Sequence, residues 1–344
     1  MTSLSNPIPG TAGWPQELRE RGAFFDADQV LHFGDPDSER ATLLTAPTLH
    51  PLTDSSLLRA AGPDAGTFLQ AQLSNDIDML DQSHAQLSTY CTAQGRMLAS
   101  LVLWRDASDY LMQLPAEIAA GVHTRLQKHV LRAKLTLSDA TPEMRLLGLG
   151  GPSAAAALDG LVDSPPAASL TIARSAQAAV IRLHAELFLV VVSSGHWLEA
   201  WDHLTQRARP AGTDAWRWRL IAAGIPVITA ATQEQFVPQM ANFEQLGAVS
   251  FAKGCYPGQE IVARAQYRGE VKRRLFRLHA PAAAPAAGQA IFQPGENAAC
   301  GMVVNAAPAP GGGFDLLAVL LTSAAEARNL HLATADGPLL RLCR

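Results

Sequence analysis

The apolar side chains of this chain come in short runs, and that limits what it can fold into. The longest purely apolar stretches, residues 187–192 and 316–321, hold six residues each, the length of a buried strand and far short of the ~20 a membrane-crossing helix needs. No early segment joins a basic start to a long apolar run, so no membrane association is expected and the setting reads as cytoplasmic. Alternating and apolar segments at 85–91, 97–104 and 110–114, broken by Gln94-Gly95 and by residues 106–109, predict an antiparallel meander. A strand is expected at 57–60. Asp64 then stands where it can cap a helix that buries Phe68, Leu69 and Leu73, with Asn75-Asp76 ending it. Ile118, Val122, Leu126 and Val130 recur at every fourth position and predict a further helix.

A second strand-and-helix layer follows: strands at 135–138 and 145–149, a helix near 153–161, strands at 179–183 and 187–193, and a helix carrying Trp197, Trp201 and Leu204. Pro165-Pro166 marks an exposed loop within it. Hairpins mixed with helices, rather than strict alternation, predict an α+β class. From Val271 onward, Gly288, Gly295, Gly301, Gly311–Gly313 and Gly337 separate short runs such as 274–279, 301–304 and 316–321, the texture of a small β-barrel. Residues 1–47 read as an N-terminal extension with one short helix near 16–25. The expected domains are therefore 1–47, 48–270 with a subdivision near 143, and 271–344, which suits a chain of 344 residues.

Residues 253–277 read K-G-C-Y-P-G-Q-E-I-V-A-R-A-Q-Y-R-G-E-V-K-R-R-L-F-R. They hold seven of the chain's 27 basic side chains against two acids, Glu260 and Glu270, for a net charge of +5; the whole chain carries −4, so the remainder sums to −9. A positive island on an acidic protein invites an anionic ligand or partner. Arg264, Arg268, Lys272, Arg273 and Arg274 suit the glutamate tail of a folate, an acidic protein or RNA phosphates, or simply a solvated face. Tyr267 and Phe276 are the only aromatics interleaved between Ile261 and Arg277, so direct nucleic-acid binding is not expected.

The four cysteines, at 91, 255, 300 and 343, contain no C-x-x-C pair, which indicates neither a disulfide framework nor a self-contained zinc or four-cysteine cluster site. Most lone cysteines are small buried hydrophobes. Cys255 differs, because Gly254, Pro257 and Gly258 resist a continuous helix and Lys253, two positions away, projects on the same side as the thiol if the stretch is extended. A cation beside a thiol favours the thiolate, the form that attacks electrophiles and binds metal. His184, His279 and His331 are available as proton acceptors, though spacing places none of them beside Cys255. Serine-hydrolase, P-loop and dinucleotide patterns are absent.

K-G-C-Y-P-G-Q-E resembles the signature of the YgfZ family, folate-binding proteins related to the T-protein (aminomethyltransferase) of the glycine cleavage system and to mitochondrial iron–sulfur assembly factors. The match runs upstream through Gly224-Ile225-Pro226, Phe236-Val237-Pro238-Gln239, Asn242 and Gly247 to Phe251, and more weakly to Phe68-Leu69-Gln70 and Cys91-Thr92-Ala93-Gln94-Gly95, so that it covers residues 48–344. The resemblance implies a T-protein-like α+β body of mixed antiparallel sheets and helices around a central channel, followed by a C-terminal barrel. It implies an accessory protein that binds tetrahydrofolate or another folate and supports assembly, repair or maintenance of iron–sulfur enzymes, including those that modify tRNA, with iron–sulfur client proteins as partners. Cys255 would be its working residue, aided by Lys253 and able to serve as a transient metal ligand, with no resident metal. Trp216, Tyr256, Gln259, Glu260, Arg264 and Arg268 would line the folate site, Trp216 by stacking of its indole on a flat ring.

Three positions depart from the family pattern. Ser55 stands where a second folate-associated tryptophan would fall, Ala222 where a pterin-recognising glutamate would, and Ala99-Ser100 where the T-protein stretch carries a catalytic aspartate. The last argues against the alternative of a tetrahydrofolate-dependent aminomethyl transferase. A non-catalytic binding module with a packed Cys255 is the other alternative.

Overall fold

The apolar run at 187–192 becomes the strand Leu187–Ser193, whose residues are buried on both faces until the terminal serine. It lies near the middle of a six-stranded sheet in the order Ile172–Arg174, Ala178–His184, Leu187–Ser193, Met144–Gly150, Thr48–Pro51, Arg209–Pro210. Neighbours pair antiparallel except the last two strands, which run parallel. The computed structural model describes residues 13–267 and 271–343, and these divide into two compact units, one formed by the described residues up to Leu58 with Ser138–Trp216 and the other by Arg59–Leu137 with residues 217–343.

In the first unit, the helix Trp197–Leu204 sets Trp197, Trp201 and Leu204 into a core with Leu147, Leu149, Phe188 and Val190. The helix Trp14–Glu20 adds Trp14 and Leu18 to that core, and its Glu17 accepts a hydrogen bond from the Trp197 indole at 3.0 Å. Residues read as an extension thus supply part of a core. The stretch 153–161 forms one short 3-10 turn, Ala154–Leu158, in place of the expected α-helix. Its entry residue Ser153 is left-handed (φ 61°) and Gly160 just beyond it is too (φ 86°), which brackets the run. Of the Pro165-Pro166 pair, Pro166 is buried rather than exposed.

In the second unit the meander forms as Ala85–Cys91, Met97–Asp106 and Asp109–Pro115, within a five-stranded sheet completed by Ser55–Ala61 and Thr136–Asp139. The helix Ala116–Val130 buries Ile118, Val122, Leu126 and Val130 along one face, as the spacing required. The helix Ala65–Gln72 buries Phe68 and Leu69, but Asp64 gives it no side-chain cap. Its carboxylate instead accepts the backbone N–H of Lys134 at 2.6 Å, a partner that lies 70 residues away and leaves no local trace in sequence.

The C-terminal strands Arg273–Ala280, Phe314–Leu321, Gly301–Pro308, Ala290–Phe292, Leu330–Leu332 and Leu339–Leu342 close into a barrel. Leu278, Ile291, Val303, Leu316 and Leu330 fill it. A Cβ on Gly301 would lie 2.3 Å from the Leu320 side chain, so glycine is what lets two wall strands approach there. Asp315 is the acid of this barrel that is buried and fully engaged. Its carboxylate accepts from the Trp218 indole at 2.9 Å, from Arg277 at 2.7 Å and from His279 at 2.9 Å. Burial alone would raise its pKa, but the bonds from Arg277, His279 and Trp218 outweigh it and hold the carboxyl below its ordinary value.

A carboxylate with a depressed folded-state pKa contributes stability that is complete above its unfolded value and is lost as the pH falls through the folded one. Asp315→Asn is therefore expected to cost about 1–2 kcal/mol in urea unfolding at neutral pH and to flatten the loss of stability below about pH 4. The figure is kept low because the Arg277 and His279 side chains are 34% and 30% exposed.

Candidate functional site

The loop that carries Cys255 is fastened by the residue two positions before it. Lys253 is 7% exposed, and its ammonium donates to three main-chain carbonyls, Gln70 at 2.7 Å, Leu73 at 2.6 Å and Asn75 at 2.8 Å. These lie at and just beyond the C-terminal end of the helix Ala65–Gln72, where carbonyls lack intrahelical partners and carry the negative end of the dipole. An ammonium has three N–H donors, and all three are taken. The expected pairing of Lys253 with the Cys255 thiol thus gives way to a clamp between lysine and helix end. Burial pulls the Lys253 pKa down to about 8 while Asp76 and Asp78 oppose the fall. The carbonyl dipoles act in the same sense as those carboxylates, so the group is charged at neutral pH.

A second contact fixes the other side of the loop. Gly258 is left-handed, and a Cβ there would lie 2.5 Å from the Thr92 carbonyl oxygen and 2.6 Å from Gly95 Cα. Any other residue would push the turn at 92–95 away from the start of the helix Gln259–Tyr267. The two family-like stretches around Gly95 and Gly258 therefore meet in space. Tyr256 is buried with its ring 5.3 Å from the Lys253 ammonium. Between these anchors Cys255 is exposed as a free thiol. Cys91 is buried, and burial pushes its thiol up to about 12. Burial raises Cys300 and Cys343 as well.

The structure spends most of the basic island on the protein itself. Arg273 donates to the Cys300 carbonyl, Arg274 to the Gln239 carbonyl and the Glu244 carboxylate, and Arg277 to Asp315. Lys272 and Arg264 are exposed, and Arg264 makes no ion pair among the described residues. Gln259 is half-buried and donates to the Lys253 carbonyl at 3.4 Å, Glu260 is exposed, and Arg268 lies outside the described residues.

Trp216 belongs to the first unit and is 6% exposed. A Cβ on Gly148 would lie 2.4 Å from its indole, so the ring is seated directly on that glycine, with the His50 ring 5.8 Å from it. Ser55 opens the strand Ser55–Ala61, and Ala222 closes the helix Thr213–Ala222. In place of the T-protein aspartate, Ala99 is buried and the Ser100 hydroxyl accepts the Ile228 N–H at 3.0 Å, so this position holds main chain rather than a carboxylate. His279 is bound to Asp315 and His331 lies against the Gly337 carbonyl at 2.7 Å. Among the described residues no three His, Cys, Asp or Glu side chains gather as a metal site. The acceptors of the Lys253 clamp escaped sequence reasoning because main-chain carbonyls carry no residue-type signal.

Lys253→Met keeps the stem but leaves three carbonyls unpaired, and is expected to lose about 2–4 kcal/mol in denaturant unfolding. Lys253→Arg is expected to be nearly as damaging, because a planar fork cannot replace a compact ammonium among three converging oxygens; a wild-type melting curve for the arginine variant would contradict the clamp. Native protein treated with iodoacetamide near neutral pH should be alkylated first at Cys255, with Cys91 and Cys300 reacting only after unfolding. Peptide mass spectrometry reads the order.

Residues 48–244 match the GCVT N-terminal domain. The chain is 35% identical over 254 residues to the tRNA-modifying protein YgfZ of Serratia proteamaculans, an alignment that covers 73% of this chain and 77% of that protein. It is 34% identical over 254 residues to the tRNA-modifying protein YgfZ of Escherichia fergusonii, covering 73% and 78%. The structure is similar to that of the glycine cleavage system aminomethyltransferase T from Bartonella henselae, with a TM-score of 0.77 at 17% identity over 96% of this chain and 95% of that one. At that identity the likeness speaks for the fold alone, which is T-protein-like and ends in a closed six-stranded barrel. The domain match over more than half of the chain, together with alignments at a third identity over most of both lengths, makes this chain a member of the YgfZ family, within the proteins that carry the GCVT domain.

Proposed function

We propose that this protein is a folate-binding accessory factor in tRNA modification, one that supports the assembly, repair or maintenance of iron–sulfur enzymes through Cys255. The observation that carries the reading is the presentation of that thiol. Cys255 is exposed and free, while the residues on either side are fixed by the Lys253 clamp and the Gly258–Gly95 contact. Such a thiol keeps its place while remaining open to a macromolecular client. Relatives about a third identical over most of their length are tRNA-modifying proteins by name. A single cysteine cannot hold a cluster that needs four ligands, so Cys255 acts on a client's cluster as a transient thiolate ligand. Lys253 is a positioning residue in this reading.

Folate enters through the domain rather than through the stacking wall. Trp216 does not fit a stacked ring as it stands, since it is almost wholly buried and one side rests on Gly148. Arg264, exposed and without an acidic partner among the described residues, fits a carboxylate tail. Folate, when bound, would supply a one-carbon carrier. The missing carboxylate at Ala99-Ser100 speaks against aminomethyl transfer.

The test is complementation in a bacterial strain that lacks its own family member. The readout is thiolated tRNA nucleosides made by iron–sulfur enzymes, measured by mass spectrometry. Wild type should restore them and Cys255→Ser should not, although the variant is expressed and melts normally, because a hydroxyl stays protonated and is a poor soft-metal ligand. Full restoration by Cys255→Ser would remove Cys255 from the mechanism. Absence of saturable tetrahydrofolate binding in calorimetry would remove the folate.

A further inference from the structure

A second positive segment lies far from the Cys255 loop in sequence, and most of its cations are left without an ion pair among the described residues. Residues 118–138 contain Arg125, Lys128, Arg132 and Lys134 and no Asp or Glu, a net +4 in a chain of −4. All four side chains are exposed, as are His129 and Leu131. Lys128 and His129 occupy the last turn of the helix Ala116–Val130, where cations complement the dipole. That rationale does not reach Arg132 and Lys134, which stand beyond the helix end. Arg125 meets Glu234 at 3.5 Å on an open surface, while Lys128, Arg132 and Lys134 make no ion pair among the described residues. In the 253–277 island Arg273, Arg274 and Arg277 are bound to the protein's own carbonyls and carboxylates, whereas Lys128, Arg132 and Lys134 face solvent.

The turn that displays them is rigid and strained. Leu131 has φ 45° and ψ −104°, a region that costs a branched residue free energy and that glycine enters without strain. The Ala133 N–H bonds the Val130 carbonyl at 2.8 Å across it. The far side is pinned by the Lys134 N–H on Asp64 at 2.6 Å, and by Gly62, where a Cβ would lie 2.6 Å from the Lys134 carbonyl oxygen. Leu131 is 88% exposed at the tip. The fold thus holds an apolar side chain outward, against its backbone preference, in a segment whose Lys128, Arg132 and Lys134 are exposed and make no ion pair among the described residues.

We propose that this tip, Arg125, Lys128, His129, Arg132 and Lys134 around Leu131, is an RNA-docking surface: the cations contact phosphates and Leu131 packs on an exposed base or ribose of folded RNA. The assignment rests on the reading that the protein works in tRNA modification, and it adds that the chain touches the RNA itself as well as a protein client. RNA is favoured over an acidic protein because the segment offers exposed cations with one exposed apolar side chain rather than an apolar groove. It is favoured over a membrane because a single leucine buries too little to hold a lipid surface. The surface lies outside the 253–277 segment, and RNA binding by it departs from the expectation, drawn from that segment's few aromatics, that the chain does not bind nucleic acid directly.

The test is binding of unfractionated bacterial tRNA to the full chain by fluorescence anisotropy across a salt series, with the triple variant Lys128→Glu, Arg132→Glu, Lys134→Glu and, separately, Leu131→Gly. Wild type should bind saturably with affinity falling steeply with salt. The triple variant should bind at least about tenfold more weakly at ~0.1 M salt, with a log–log slope shallower by roughly 2–3. Leu131→Gly should weaken binding several-fold while its melting temperature stays level or rises, because glycine relieves the positive φ. Saturable binding that is unchanged in both variants, or no binding by wild type at ~50 mM salt, overturns the proposal. Loss of phosphatidylglycerol-vesicle retention in the variants, with no tRNA binding by wild type, would overturn it in favour of a membrane. The Cys255 complementation assay is scored independently: a chain that fails to bind tRNA yet restores nucleosides in a Cys255-dependent manner refutes this surface and leaves the proposed function standing.

Discussion

A buried ammonium is costly to remove from water, and the second unit is arranged so that Lys253 is compensated. Three converging carbonyls replace its hydration shell, and because they come from one helix end, the charge also offsets a dipole that would otherwise be unmet. The exchange fixes residues 70–75 against residue 253. The same stretch is gripped from a further side: the Ser74 hydroxyl donates to the Ala248 carbonyl at 2.7 Å and accepts the Thr89 N–H at 2.8 Å, and the Asn75 amide donates to the Leu87 and Gly247 carbonyls. Three segments distant in sequence, the helix end, the meander's first strand and the 247–253 loop, thus share one polar network. Cys255 emerges two residues past its edge.

This arrangement changes what the charge pattern means. A window sum along the chain counts Lys253, Arg273, Arg274 and Arg277 as available cations, yet each is bonded to acceptors within the fold. Potential at a surface depends on charges that reach solvent without a counter-ion. By that measure Lys128, Arg132 and Lys134 count as Arg264 and Lys272 do, exposed and without an ion pair among the described residues, although their sequence attracts less notice because they are spaced along a helix and the turn beyond it.

The strands and helices were legible wherever one face is buried and the next exposed, as in the helix from Ala116 with its fourth-position apolar residues, or wherever an apolar run is bounded by turn formers, as at 316–321. The barrel was legible from its glycine punctuation. What escaped the sequence was settled by distant partners. Asp64 reads as a cap but is recruited by Lys134, Ser153 adopts a left-handed conformation that a run of alanines does not announce, and Trp14 enters a core whose Trp197 lies 183 residues further along the chain. In the site, Cys255 and the break in helix around Gly258 could be read, and the partners of Lys253 and the close approach of Gly258 to Gly95 could not.

Trp216 and Gly148 show how packing constrains a binding role. With the indole lying where a Cβ would otherwise stand, glycine at 148 and tryptophan at 216 are complementary choices, and the contact is satisfied without a ligand. Any flat ring that stacked on that side of the indole would have to displace the Gly148 backbone, which is paired on both edges within the sheet, to Leu189 on one side and His50 on the other. Main chain held by two ladders does not yield to a stacking energy of about 1 kcal/mol. A folate that engages Trp216 must therefore move the side chain off Gly148 or meet it from another direction, and in either case the wall that the family pattern suggests is not preformed in this chain.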